Sequence, residues 1–373
     1  MQTISVSSRI LLFWAFLLAP ALAIGAPEAP NAPAPPPVYA PAPPPPVTYR
    51  TGVEAVRHKD YRAAAPKLPA ECDGGDGQAC SYLAELYQKG VAVTRDAGRA
   101  DALLVRSCAL GYMRGCNNLA VFRFASATTD AEKAATTPLL EKACEGGEGM
   151  GCSNLGFRYE RGIGVARDET QARTLYIRAC EQGDAEGCNN AAIAYDHPIG
   201  GPRDAVAALA AYRRACGLDR IDSCFWAAVA VEKGSGTAAD LPRAMKDYSA
   251  LCDRGHGRSC AAQGWALDQT LGGKENKVLA RTAYEKACEL KYGGGCNSLG
   301  LLHEYGRGGP ANVVIAAQFF DRGCEIGDAN ACVNMSRLYR TGRGVSFDQG
   351  TAITYLDRAC ELGSAAACKQ LRR

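Results

Sequence analysis

Histidine is scarce in this chain, with four residues in 373, His58, His197, His256 and His303, that fall in separate stretches and read as loop or surface positions. Zinc chemistry needs clustered histidine, thiolate or carboxylate ligands, so no metal or cofactor site is expected. The C-x-x-C of thioredoxin-like redox proteins is missing, and so are a G-x-S-x-G nucleophile elbow and a glycine-rich phosphate loop. No catalytic residue is assigned. Neither sign of charge dominates: 42 basic residues face 39 acidic ones without a long run of either. That balance argues against nucleic acid or an anionic membrane surface as the main partner. Period-two alternation is also missing, which excludes a strand-based repeat.

Long apolar runs are confined to the N-terminus. Arg9 is followed by the run Ile10–Ala19 and then by Ala21-Leu22-Ala23, the order of a secretory signal. Pro20 cuts the run well short of the roughly 20 residues a spanning helix needs. Residues 1–23 are therefore predicted to be a signal peptide cleaved after Ala23 or Ala26, with no stable membrane insertion afterwards and a periplasmic or secreted location. Residues 24–50, which include APAPPPPV, hold too few core-forming side chains to fold and are predicted to be an extended, proline-rich spacer.

Cysteine is abundant and periodic. Cys72, Cys108, Cys144, Cys180, Cys216, Cys252, Cys288, Cys324 and Cys360 recur every 36 residues. Each has a companion eight residues on: Cys80, Cys116, Cys152, Cys188, Cys224, Cys260, Cys296, Cys332 and Cys368. The spacing is too wide for usual zinc ligand sets, and in an exported chain the pairs are expected to be nearest-neighbour disulfides. Each closed loop would contribute roughly 2.6 kcal/mol before strain. The bridges are read as staples between neighbouring units.

Other columns keep the period. Alanine stands twenty residues after the second cysteine at Ala100, Ala172, Ala208, Ala244, Ala280, Ala316 and Ala352, with Thr136 the exception. Four residues further on stands a large apolar group, from Leu104 through Tyr176, Tyr212, Tyr248, Tyr284 and Phe320 to Leu356. Small and large residues four apart share a helix face. In CSNLGFRY, Cys152, Leu155, Gly156 and Tyr159 make one buried stripe, while Asn154 and Arg158 are expected to point away from it. Glycines at Gly90, Gly162, Gly234, Gly306 and Gly342 read as helix ends, and Asp168 as the cap of the second helix. The turn is altered around Phe124 and around His197. The predicted fold is an all-α, right-handed solenoid of αα-hairpins over residues 51–373. It comprises about eight units, a half unit at 51–72 and a stub at 361–373.

The unit GCSNLGFRYERGIGVARDETQARTLYIRACEQGDAEGC resembles a Sel-like repeat, a relative of the tetratricopeptide repeat. With two cysteines per unit and an export signal, residues 72–373 resemble the Helicobacter cysteine-rich protein, or Hcp β-lactamase, family. The resemblance implies a scaffold that binds a peptide or protein segment on its concave face. It also implies, as an alternative, penicillin binding with slow β-lactam hydrolysis and hence a β-lactam or peptidoglycan-related ligand. Against the alternative, the chain has no S-x-x-K and no K-T-G.

One column bears on the scaffold. Two residues after each second cysteine stand Tyr82, Asn118, Asn154, Asn190, Trp226, Ala262, Ser298 and Asn334. Asparagine is a poor helix former, so its return needs a reason. It reads either as an inter-repeat hydrogen bond or as an amide ladder lining the groove, and the resemblance favours the ladder. Tyr82, Asn118, Asn154, Asn190, Trp226 and Asn334 are the candidate binding residues, with Trp226 alternatively packed as core beside Phe225.

Overall fold

A computed structural model describes residues 48–271 and 273–372; the predicted signal peptide and nearly all of the predicted spacer lie outside the described residues. The unit Tyr49–Arg373 is built of helices, without strands among the described residues. Three short helices, Gly52–Arg57, Tyr61–Ala64 and Leu68–Asp73, precede the first full hairpin. Eight helix pairs follow. Units one to four are Gly77–Lys89 with Ala97–Ala109, Met113–Ser126 with Thr137–Glu145, Gly149–Arg161 with Glu169–Glu181, and Ala185–Asp196 with Ala205–Gly217. Units five to eight are Ile221–Lys233 with Leu241–Asp253, Gly257–Trp265 with Lys274–Glu289, Gly293–Tyr305 with Val313–Glu325, and Ala329–Thr341 with Gln349–Glu361. Ala365–Leu371 begins a ninth first helix.

Local chemistry sets these boundaries. The first helices of units one, three, five, seven and eight end on Gly90, Gly162, Gly234, Gly306 and Gly342, each left-handed at φ between 64° and 70°. A side chain there would clash with the backbone. The second helices start on Asp96, Asp168, Asp204, Asp240, Asn312 and Asp348, whose side chains accept from the third backbone N–H of the helix. Unit two replaces the glycine turn with a short helix, Asp130–Ala134, started by a Thr129–Glu132 capping box. In unit six the first helix runs on as a π-helix, Ala266–Leu271.

The core is distributed along the stack. The alanine column is buried throughout, and the partner column is led by Tyr176, Tyr248 and Phe320, all essentially without exposure. Close approach requires a small residue opposite each ring: a Cβ on Gly156 would stand 2.9 Å from Tyr176, and one on Gly300 2.6 Å from Phe320. All nine disulfides pair nearest cysteines, from Cys72–Cys80 to Cys360–Cys368, with Cα–Cα distances of 4.2 to 4.8 Å. Each closes the loop between one unit's second helix and the next unit's first. The described residues include no free cysteine.

Arg158 lies away from the stripe of its own unit, as expected, but not in solvent. It is buried, and its guanidinium donates to Lys133 O and to the hydroxyls of Thr136 and Thr137 in the preceding unit. The guanidinium also lies 4.7 Å from the centre of the Phe124 ring. The reason is architectural: each first helix packs against two second helices, its own and the previous unit's. Six residues after the second cysteine is the position that meets the previous unit, and elsewhere it holds Leu86, Ala194, Leu302 or Leu338, all buried.

Candidate functional site

The asparagine column lies in the seam between neighbouring first helices. Asn154 Nδ2 donates to Asn117 Oδ1 at 2.8 Å, Asn117 Nδ2 to Asn118 Oδ1 at 3.3 Å, and Asn118 Nδ2 to Ser81 Oγ at 3.2 Å. Three units are thereby linked through one run of polar side chains. Asn334 repeats the motif on Asn297 at 2.8 Å, while Asn190 accepts from Asn189 at 3.5 Å. The column is therefore half-buried, not fully exposed as its position opposite the stripe implied, because the adjoining helix covers its flank. A side-chain amide offers two N–H donors and a carbonyl oxygen with two lone pairs. Asn154 spends one donor in the seam and Asn190 only its carbonyl, so each retains hydrogen-bonding capacity toward the face. Tyr82 is likewise half-buried and accepts from Gln78 Nε2 at 3.2 Å.

The more exposed column went unnoticed in the sequence. Five residues after the second cysteine stand Val121, Phe157, Ile193 and Trp265, each more than a third exposed although apolar. Positions two and five share a helix face, so each of units two to four presents one amide beside one apolar side chain. The signal was present in the 36-residue register, but a period shows recurrence and not which recurring face stays uncovered.

Trp226 is 41% exposed, whereas Phe225 beside it is buried. The two rings meet edge to face at 5.2 Å between centroids. Trp226 lines a groove of about 650 Å³ with Arg258, Trp265, Tyr292 and Asn297. It also borders a second groove of about 410 Å³ beside Tyr212 and Lys233.

Among the histidines, His303 differs from the expected loop or surface setting, whereas His256 lies in a loop as expected, at the N-cap of the first helix of unit six. His303 sits in the first helix of unit seven and stacks on Phe319 at 5.4 Å, and burial together with Arg281 pushes its pKa down. His256 Nδ1 lies 2.7 Å from Ser259 Oγ and its Nε2 lies 3.2 Å from Asp222 Oδ1. This has the composition of a hydrolytic triad but not its disposition. Ser259 is completely buried, and a nucleophile must reach substrate. Ser259 fills the small-residue position before Cys260 that Gly151 and Gly187 fill in other units. Among the described residues, no three His, Cys, Asp or Glu side chains form a group suited to a metal ion.

These features define a disulfide-stapled helical-repeat scaffold with a polar and apolar face along its first helices. The chain belongs to the Sel1 repeat family, whose model, described as Sel1 repeat, matches residues 77–112, 149–184, 185–219, 221–256, 294–328 and 329–364. The stretches between matches include units two and six, in both of which the glycine cap is replaced. Among solved structures the chain is similar to a protective antigen of uropathogenic Escherichia coli displaying an SLR fold. The two share 22% identity at a TM-score of 0.65, over 82% of this chain and 65% of that one. The chain thus spans less than two thirds of that relative's length. A Sel1 repeat protein from Oxalobacter formigenes aligns at 20% identity and a TM-score of 0.62, over 86% of this chain and 93% of that one. Helicobacter pylori cysteine-rich protein B aligns at 28% identity over 36% of this chain and 96% of that one, with a TM-score of 0.31. No curated protein matches the chain at a significant level. Sel1 repeats build protein-interaction scaffolds, and the density of disulfides suits an oxidising compartment. No described helix is long and apolar enough to cross a membrane.

Proposed function

We propose that this chain is an exported scaffold, periplasmic or secreted, that binds an extended segment of a protein partner along the face of its first helices. The observation that carries this reading is the register of Val121, Phe157 and Ile193 beside Asn118, Asn154 and Asn190, one apolar group and one amide per unit. Apolar side chains supply affinity, and the spare hydrogen bonds of the amides can fix backbone register. The β-lactam alternative has no comparable support, because the triad-like Ser259 is sealed from substrate.

Replacing Val121, Phe157 and Ile193 together with serine tests the reading. These side chains are substantially exposed, so the melting temperature is expected to change little while partner capture falls sharply. Undiminished capture would move the binding surface elsewhere. Turnover of a chromogenic cephalosporin by the oxidised wild-type chain, well above a denatured control, would favour the enzyme instead.

A further inference from the structure

A ladder of polar contacts runs along the rim of this face. At three junctions the residue two positions before the second cysteine of one unit meets the residue four positions before the second cysteine of the next. Arg114 Nε lies 3.3 Å from Glu148, Glu186 pairs with Arg220, and Asp222 Oδ1 lies 3.2 Å from His256. At the following rung the register sets Arg258 against Tyr292, a side chain with no negative charge. Arg258 is exposed, and no carboxylate among the described residues pairs with it. Its guanidinium rests over Phe225 and Trp226, 5.7 and 5.9 Å from the ring centroids. A guanidinium held against aromatic faces keeps its N–H edge available to a planar bidentate acceptor, and the partner best matched to that edge is a carboxylate.

The helix spacing narrows the conformation of such a partner. First helices of units two and three touch directly, as the Asn154–Asn117 bond requires, and so do those of units six and seven. Helices in contact lie about 8–10 Å apart. A polyproline II chain returns to the same face every third residue, about 9.3 Å along its axis. A β-strand returns every second residue, roughly 6.7 Å along, and loses step with the units within two of them. Exposed indoles such as Trp226 and Trp265 are the surface on which proline rings pack well.

We propose that units five to seven dock a proline-rich peptide segment in polyproline II conformation that carries an acidic side chain. Its carboxylate occupies the place of the missing counter-ion of Arg258, and its prolines pack against Trp226 and Trp265. This rests on the reading of the first-helix face as a peptide groove and specifies the partner's chemistry.

The test uses the full oxidised chain and three fluorescently labelled peptides with blocked termini. One is proline-rich with a single glutamate, one has glutamine in its place, and one keeps the glutamate but has glycine for every proline. The proline–glutamate peptide is expected to bind, and its glutamine counterpart about tenfold more weakly, the usual scale for a charge-assisted hydrogen bond. The glycine peptide should bind more weakly still. Arg258→Gln should abolish the glutamate preference at an unchanged melting temperature, and Trp265→Ala should weaken every peptide. Equal binding of the glutamate and glutamine peptides by the parent chain, equal binding of the glycine peptide, or binding of none of the three would overturn the proposal. If a different peptide is still captured through Phe157, the peptide-groove reading survives and only the stated partner chemistry falls.

Discussion

Tyr176 donates its phenolic hydrogen to Glu160 at 2.7 Å, and two units on Tyr248 does the same to Glu232 at 2.6 Å. The acid stands eight residues after the second cysteine and the ring twenty-four after it. Tyr212 and Tyr284 have Asp196 and Asp268 in the same register. Unit seven replaces the phenol with Phe320, and its acid, Glu304, turns instead to Arg337 and Arg343 of unit eight. Ring and acid therefore form a coupled element of the unit.

Tyr176→Phe is expected to cost about 1 kcal/mol, since Phe320 shows that the ring alone fills the site. Glu160→Ala should cost roughly 1–3 kcal/mol by leaving a buried hydroxyl unpaired. The double variant should lose less than the sum of the two. Urea midpoints of the four oxidised proteins measure this, and strict additivity would show that the two side chains are not coupled.

Alkaline pH probes the same column. Burial, reinforced by Asp196 and Asp268 respectively, pushes the hydroxyls of Tyr212 and Tyr284 up to about 12, against about 10 for free tyrosine. Tyr176 and Tyr248 are also raised, by burial and by their acid partners. With the folded value above the unfolded one, the stabilisation is fully present below about pH 10 and is lost as pH rises from there through the folded value. The melting temperature is expected to hold up to about pH 10 and then fall. In the Tyr212→Phe, Tyr284→Phe double variant the fall should be shallower.

Glu304 has a fully buried side chain gripped by Arg337 at 2.9 and 2.6 Å and approached by Arg343 at 3.3 Å. Glu304→Ala would leave two guanidinium groups without their acid, at an expected cost of about 1–3 kcal/mol, since both are partly exposed to water. Repeat units lean only on their neighbours, so hydrogen exchange should quicken in units seven and eight and not in units one to four. Uniform quickening would mean that the stack unfolds as one block.

Lys291 holds φ at 59° in the disulfide-closed loop, where other units place a glycine such as Gly183 or Gly255. A side chain in the left-handed region costs about 1–2 kcal/mol. Lys291→Gly is therefore expected to stabilise the protein by about 1 kcal/mol, less the extra unfolded-state entropy of glycine. A lower thermal midpoint would show that the lysine side chain has a stabilising role of its own.

The stack was legible in the sequence because its constraints are periodic. The cysteines, the alanine column with its rings, and the glycine and aspartate caps each recur at one register position, and recurrence is visible without coordinates. The face was less legible. Asn154 and Arg158 both lie away from the stripe that packs within the unit, yet one is tied into the seam and the other is buried against the previous unit. A single helix wheel cannot show contacts made by the neighbouring unit. Trp226 was open between core and groove for the same reason, since two adjacent aromatics cannot both face inward and sequence does not choose between them.

The central claim, that partners lie along the first helices, is tested most directly by photocrosslinking from single positions of the oxidised chain. A benzophenone side chain placed at exposed Phe157 is compared with one at exposed Thr174 on the second helix of the same unit. The expected result is an adduct with a bound peptide from position 157 and none from 174. An adduct from 174 with none from 157 would place the binding surface on the opposite side of the solenoid and contradict the claim.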